Sequence, residues 1–262
     1  MSAIILDGSI VHYEALGRGR PIVFLHGWVG SWRYWIGAMQ VASTSYRAYA
    51  LDLFGFGDTS RDPLRYSIEQ QAALIDRFLN EMGIGKIAVV GHGLGALVGL
   101  YFIKQFPRNV DRIMAVNCPI NYEAVNARLR TAPMSELVDW LSSRSPEAAS
   151  ALSDAFKADP QTVAASMAIL QTNNLFSAVR SANIPCLLVY GQNDPAISPI
   201  PPEKSTTLPM MMHQIVLDDV GHFPMIDNPL KFNRLMTDFM ALDSGVSPTD
   251  LQMKEEWKRR VR

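Results

Sequence analysis

Cysteine is scarce in this chain of 262 residues: only Cys118 and Cys186, both inside apolar, strand-like runs. Two thiols among aliphatic neighbours make no disulfide framework and read as reduced, inert core residues. Neither sign of charge is in excess, with 24 Lys and Arg against 25 Asp and Glu and a formal net charge of −1. The basic footprint of a nucleic-acid-binding surface is therefore missing. Long apolar runs are missing too. The most apolar stretch, 87–103, is broken by His92 and four glycines, so no membrane span is expected. The opening Met1-Ser-Ala-Ile-Ile-Leu-Asp7-Gly8 lacks the basic segment and longer apolar run of a secretory leader. There is no internal repeat and no low-complexity segment. These absences leave a cytoplasmic protein as the expectation, with 48% hydrophobic residues to fill one large core.

Taken in order, the chain alternates strands and helices. Ala3–Leu6 and Ile10–Ala15 flank Asp7-Gly8, a hairpin signal. Pro21–Leu25 is a continuous apolar strand ending in His26-Gly27-Trp28, before a helical pattern with Trp32, Trp35, Ile36 and Met39. Tyr49–Asp52 is the next strand, running into the glycine-bearing loop Asp52-Leu-Phe54-Gly55-Phe56-Gly57. Ser67 and Gln70 form a capping box for a helix whose apolar face carries Ile68, Ala72, Ile75, Leu79 and Met82. A β-branched run from Ile87 meets the glycine-rich corner Gly91-His92-Gly93-Leu94-Gly95, and an apolar helix leaves it. Arg112–Val116 follows, ending at Asn117-Cys118. Such alternation with short connections predicts an α/β fold with a mostly parallel sheet.

The alternation stops over 120–182, where only helical patterns occur, two of them opened by Ser145-Pro146 and Asp159-Pro160. Strands resume at Pro185–Tyr190 and Gln214–Leu217, and Asn228-Pro229 caps a last helix. The basic end, Lys254–Arg262 with Trp257, reads as a solvated terminal helix. His12 and His213 belong to no motif and read as surface residues.

Four pieces fall at the C-terminal ends of strands, where open α/β sheets place their ligand crevice. They are His26-Gly27-Trp28, the Gly91–Gly95 corner, Gly191-Gln-Asn-Asp194, and Gly221-His222-Phe223-Pro224. Together with the Asp52–Gly57 loop they resemble the α/β-hydrolase superfamily, on its esterase, lactonase and C–C hydrolase side. The resemblance implies an eight-stranded, mostly parallel sheet flanked by helices, formed by 1–119 and 183–242, with a helical lid at 120–182 and a tail at 243–262. It implies that Asp194 is the acid and His222 the base of a catalytic triad, in the chain order that fold requires. It further implies an oxyanion hole from the backbone N–H groups of Trp28 and Leu94, with His26 bracing the turn. His92, Trp140 and Phe223 are the candidate substrate contacts. No cofactor and no metal are implied.

The departure is Gly93. The family's nucleophile elbow carries a serine at this place in G-x-S-x-G, and here the residue has no side chain. Three readings stay open. The first is a hydrolase-fold protein impaired in ester hydrolysis that binds a small apolar ligand under its lid. The second is an enzyme in which His222, oriented by Asp194, acts as general base on water or on a substrate proton, as a direct hydrolase, a lyase or a cofactor-free oxygenase. The third is an ordinary serine hydrolase carrying an introduced glycine. An apolar pocket is expected from Trp28, Phe54, Phe56, Met134, Leu137, Trp140, Phe156, Met167 and Phe176.

Overall fold

Asp7 and Gly8 take positive φ, 46° and 76°, and close the hairpin between β1 (Ser2–Leu6) and β2 (Ser9–Gly17). Turns of this hand match the twist of the strands they join. Further strands follow as β3 (Arg20–Leu25), β4 (Tyr46–Leu51), β5 (Ile87–His92), β6 (Val110–Val116), β7 (Cys186–Gly191) and β8 (Met212–Leu217). The computed structural model describes residues 2–251 apart from 144, 173 and 174. In it these strands form one eight-stranded sheet of order β1-β2-β4-β3-β5-β6-β7-β8. The β1–β2 and β2–β4 pairings are antiparallel and the others parallel. Every residue of β5 and β7 is buried, as the continuous apolar runs require of strands covered on both faces. The strands start earlier than their apolar cores suggest: β4 opens at Tyr46 and β6 at Val110, where ladder bonds recruit flanking residues.

Helices cover the sheet in two groups. α1 (Ile36–Ala42) packs near the last long helix, while α2 (Ile68–Glu81) and α3 (Leu94–Gln105) pack against each other. Ser67 Oγ accepts the Gln70 N–H to start α2, and Ile68, Ala72, Ile75 and Leu79 are all buried beneath it. Between β6 and β7 the chain runs through α4 (Ala127–Thr131), α5 (Met134–Leu141), α6 (Pro146–Ala151), α7 (Gln161–Met167), α8 (Ile169–Thr172) and α9 (Phe176–Ala182). Ser145 caps α6. Asp159 Oδ1 takes the Gln161 N–H at 2.9 Å, so α7 begins one residue beyond Pro160. Short helices α10 (Pro202–Ser205) and α11 (Pro224–Asp227) precede α12 (Pro229–Ala241), capped by Asn228. Among the described residues no helix is long and apolar enough to cross a membrane. The basic end beyond 251 lies outside the described residues.

Two sequence expectations are corrected. His12 is not a surface residue: it is 3% exposed, and its Nδ1 lies 2.8 Å from Oδ2 of the fully buried Asp52. His213 is half-buried rather than exposed. Asp52 also accepts the Trp32 and Asp58 N–H groups at 2.9 and 3.1 Å, so one carboxylate organises the loop after β4. Burial opposes a charge on His12, but the Asp52 hydrogen bond and charge, with Glu14 and Asp58, outweigh it and raise its pKa above 6.5.

Close approach decides one glycine. A Cβ on Gly95 would lie 2.2 Å from the Leu25 carbonyl oxygen, a backbone atom that cannot rotate away. Gly95→Ala must therefore push α3 off β3. The expected loss is about 2–3 kcal/mol in urea unfolding with an unchanged m value; a variant as stable as the parent would mean that the two backbones do not meet.

Candidate active site

β5 ends at His92 and α3 begins at Leu94. Gly93 turns the corner between them with φ 49° and ψ −107°, a conformation that costs an L side chain strain and a glycine almost nothing. Neighbouring strands fix the corner: the Gly93 N–H donates to Val116 O at 2.9 Å and the Gly95 N–H to His26 O at 2.9 Å. His26, just past β3, donates from Nδ1 to Gly27 O at 2.8 Å. Its Nε2 accepts the Leu53 N–H at 3.0 Å, which assigns the ring proton to Nδ1 because an amide can only donate. Burial lowers the His26 pKa against the pull of Asp52.

Asp194 follows β7 and His222 follows β8. His222 Nδ1 lies 3.0 and 2.9 Å from the two Asp194 oxygens, and the side chains are 1% and 0% exposed. Asp194 Oδ1 is also held by the Ala196 N–H at 2.8 Å. A carboxylate at Nδ1 leaves Nε2 as the lone-pair nitrogen. That Nε2 is buried and has no hydrogen-bond partner among the described residues. The backbone of His222 is fixed as well, since Asn117 Nδ2 donates to its carbonyl at 2.8 Å and Asn117 Oδ1 accepts the Gly191 N–H at 3.0 Å.

His92 is fully buried, its ring centroid 4.7 Å from that of His222 and 5.4 Å from that of Phe223. Tyr34 Oη accepts the Gly27 N–H and stands 3.0 Å from His92 Nδ1. The Tyr34 proton therefore points to Nδ1 and places the His92 proton on Nε2. Burial holds the His92 pKa well below 6.5, the neighbouring His222 lowers it further, and the His222 carbonyl opposes both. The ring stays neutral. Trp28 is fully buried and donates from Nε1 to Ser166 Oγ on α7 at 2.8 Å. Its ring covers the corner: a Cβ on residue 93 would sit 3.1 Å from Trp28 Cζ3. The backbone N–H groups of Trp28 and Leu94 find no acceptor among the described residues.

An open cleft of about 560 Å³ reaches His222, lined by Trp140, Ser145, Asn193, Asp219 and Asp227 among others. Its lining mixes carboxylates and hydroxyls with apolar carbon. Of the expected substrate contacts, Trp140 lines the cleft, while His92 and Phe223 are fully buried and pack on each other. Phe54 and Phe56 are fully buried, and Phe156 is 63% exposed. Among the described residues no group of three or more His, Cys, Asp or Glu side chains is placed to hold a metal ion. Tyr34 and Ser166 escape sequence reasoning. Each is a single hydroxyl inside a helical stretch with no motif around it, and only the fold shows what it reaches.

Residues 22–235 match the family model described as the alpha/beta hydrolase family. A pimeloyl-[acyl-carrier protein] methyl ester esterase of Nitrosomonas europaea is 27% identical over 248 residues, covering 85% of this chain and 96% of that protein. A soluble epoxide hydrolase of Corynebacterium sp. is 29% identical over 112 residues, and the match spans only 43% of this chain and 39% of that protein. Among solved structures, a mutant N-acyl homoserine lactonase in complex with N-hexanoyl homoserine lactone superposes with a TM-score of 0.80 at 20% identity, over 91% of this chain and 96% of that one. At that identity the likeness is one of fold.

The buried histidines set a pH dependence. The folded-state pKa values of His26 and His92 are lowered from 6.5, so the unfolded chain binds more protons below that pH and stability falls with acid. Below pH 6.5 each can contribute at most about 1.4 kcal/mol per pH unit, for as long as its folded form stays neutral. His12, with its raised pKa, acts the other way; its contribution is complete below 6.5 and fades as pH rises. Urea unfolding across pH 5–8 checks the balance, and stability that rises on acidification over pH 6.5–5 would contradict it.

Proposed function

The chain belongs to the alpha/beta hydrolase family, and from that premise we propose that it binds a small ligand with an apolar body at the Gly93 corner without forming an acyl-enzyme. The observation that carries this reading is His222 Nε2: buried, oriented through Nδ1 by Asp194, and without a partner among the described residues, beside a corner whose residue has no side chain to deprotonate. Gly93 occupies the place of the fold's nucleophile, and its φ of 49° and ψ of −107° support that placement. The Trp28 and Leu94 N–H groups are the oxyanion donors of this reading, aimed at an ester or lactone carbonyl. The segment 120–182 is its lid, fastened to the site through the Trp28–Ser166 bond. A cytoplasmic setting fits the two buried, free thiols.

A second reading rests on the same histidine. With Asp194 holding the proton on Nδ1, Nε2 is set to take a proton from water or from a substrate carbon. Direct, general-base hydrolysis then proceeds at a low rate, because the oxyanion hole and binding alone supply about 10³–10⁴-fold over water in a site without its nucleophile.

Gly93→Ser separates the readings. The serine must accept a positive φ, at a cost of about 1–3 kcal/mol, and the Trp28 ring must yield a few tenths of an ångström to a Cβ 3.1 Å away. Hydrolysis of p-nitrophenyl acetate should then rise on the order of 10³-fold with a burst of p-nitrophenol, and Gly93→Ser with His222→Ala should abolish the gain. A folded Gly93→Ser protein with no gain would overturn the site. For the second reading, any turnover by the parent protein should collapse in His222→Ala; unchanged turnover removes it.

A further inference from the structure

A second candidate site lies at the opposite edge of the sheet, where the parallel strands begin. A cavity of about 120 Å³ is lined there by Arg20 at the start of β3, Tyr46 at the start of β4, Lys86 ahead of β5, Asp111 and Arg112 in β6, and Met240 of α12. That space is larger than a single water needs and admits a small polyatomic group.

Its charge is unbalanced. Three cations face one carboxylate, and that carboxylate is already committed: Asp111 Oδ2 accepts from Arg112 Nε at 2.7 Å, and Oδ1 accepts from Ser244 Oγ at 2.6 Å with Lys86 Nζ at 3.5 Å. These bonds hold the Asp111 pKa low against the opposing effect of burial. Arg20 stacks over the Tyr46 ring, 5.6 Å from its centroid, and pairs with no carboxylate among the described residues.

Arg112 adds the directional element. It is 1% exposed, clamps the end of α12 through Nη1 to Phe239 O at 2.7 Å, and leaves Nη2 buried without a partner among the described residues. Tyr46 Oη spends its proton on the adjacent Met240 carbonyl at 2.9 Å. A helix clamp needs one guanidinium nitrogen, and the carboxylate beside it satisfies a second. The third is left over, buried in the wall of a cavity that two further cations also line. An unpaired N–H of a buried cation is met best by a charged acceptor. We infer that this cavity is a binding site for a small oxyanion, phosphate or carboxylate, held by Arg112 with Arg20 and Lys86. The inference is independent of the Gly93 corner.

Thermal melting and calorimetric titration of the full chain with sodium phosphate, and in parallel with sodium acetate, test it at ionic strength held constant with sodium chloride. The expected result is a Tm rise of about 3–5 °C at ten times the Kd in at least one arm. The stronger arm identifies the anion as phosphate-like or carboxylate. Arg20→Gln with Lys86→Gln, both at exposed positions, should keep the parent's Tm in chloride and weaken the response at least about tenfold in Kd. Arg112→Gln should remove it, with circular dichroism checking the fold. A rise that chloride alone reproduces, no rise in either arm, or a full response in the double variant would overturn the site and leave Arg112 as a helix clamp only.

Discussion

The hydrogen bond from the Gly95 amide to the His26 carbonyl, 2.9 Å long, joins the two turns on which the site is built. It can form only because α3 comes so near β3 that no Cβ fits at residue 95. That proximity sets the height of the Gly93 corner against the Gly27-Trp28 turn, and with it the placement of two backbone N–H groups without acceptors among the described residues. Without it, the Trp28 indole could not rest over residue 93. The sheet supplies the frame, but this contact between backbones fixes the registration of one turn against the other.

Around that contact the polar atoms are wired in one direction. Gly27 gives its N–H to Tyr34, Tyr34 gives its proton to His92, and the proton of His92 is left on Nε2 beside the His222 carbonyl. Asn117 reaches the same carbonyl from β6 and holds the start of the Asp194 turn through Gly191. His222 is thus constrained at its ring by Asp194 and at its carbonyl by Asn117, yet its Nε2 is left without a partner among the described residues. Burying a lone-pair nitrogen without a partner costs free energy. That cost falls on several atoms close together, since His92 Nε2 beside it is likewise buried without a hydrogen-bond partner among the described residues.

Much of this was legible in the residues. Periodicity and turn chemistry announce the hairpin, the parallel strands and the helix starts at Ser67, Ser145 and Asn228, because each depends on local interactions within a few residues. The Gly91–Gly95, Asp194 and His222 pieces carry local signatures too. What could not be read is set by contacts between distant segments. His12 has no motif, and its burial against Asp52, 40 residues away, follows from strand pairing alone. Tyr34 and Ser166 act through single hydroxyls whose partners lie 58 and 138 residues off. The polar lining of the cleft likewise depends on how the turn after β8 meets α5 and α6, which no local pattern encodes.

The bond between the Trp28 indole and Ser166 also has a meaning for assembly. Its partners are 138 residues apart in the chain, so closing it requires β3 to β6 to be in place and α7 to have docked over them. Contacts of such separation carry a larger loop-closure entropy than local ones. The ladder bonds of the sheet do not depend on this contact, so the frame can stand while the indole is unanchored. A mutation that loosens α7 would release the indole first and leave a protein with a native sheet and an unfinished corner.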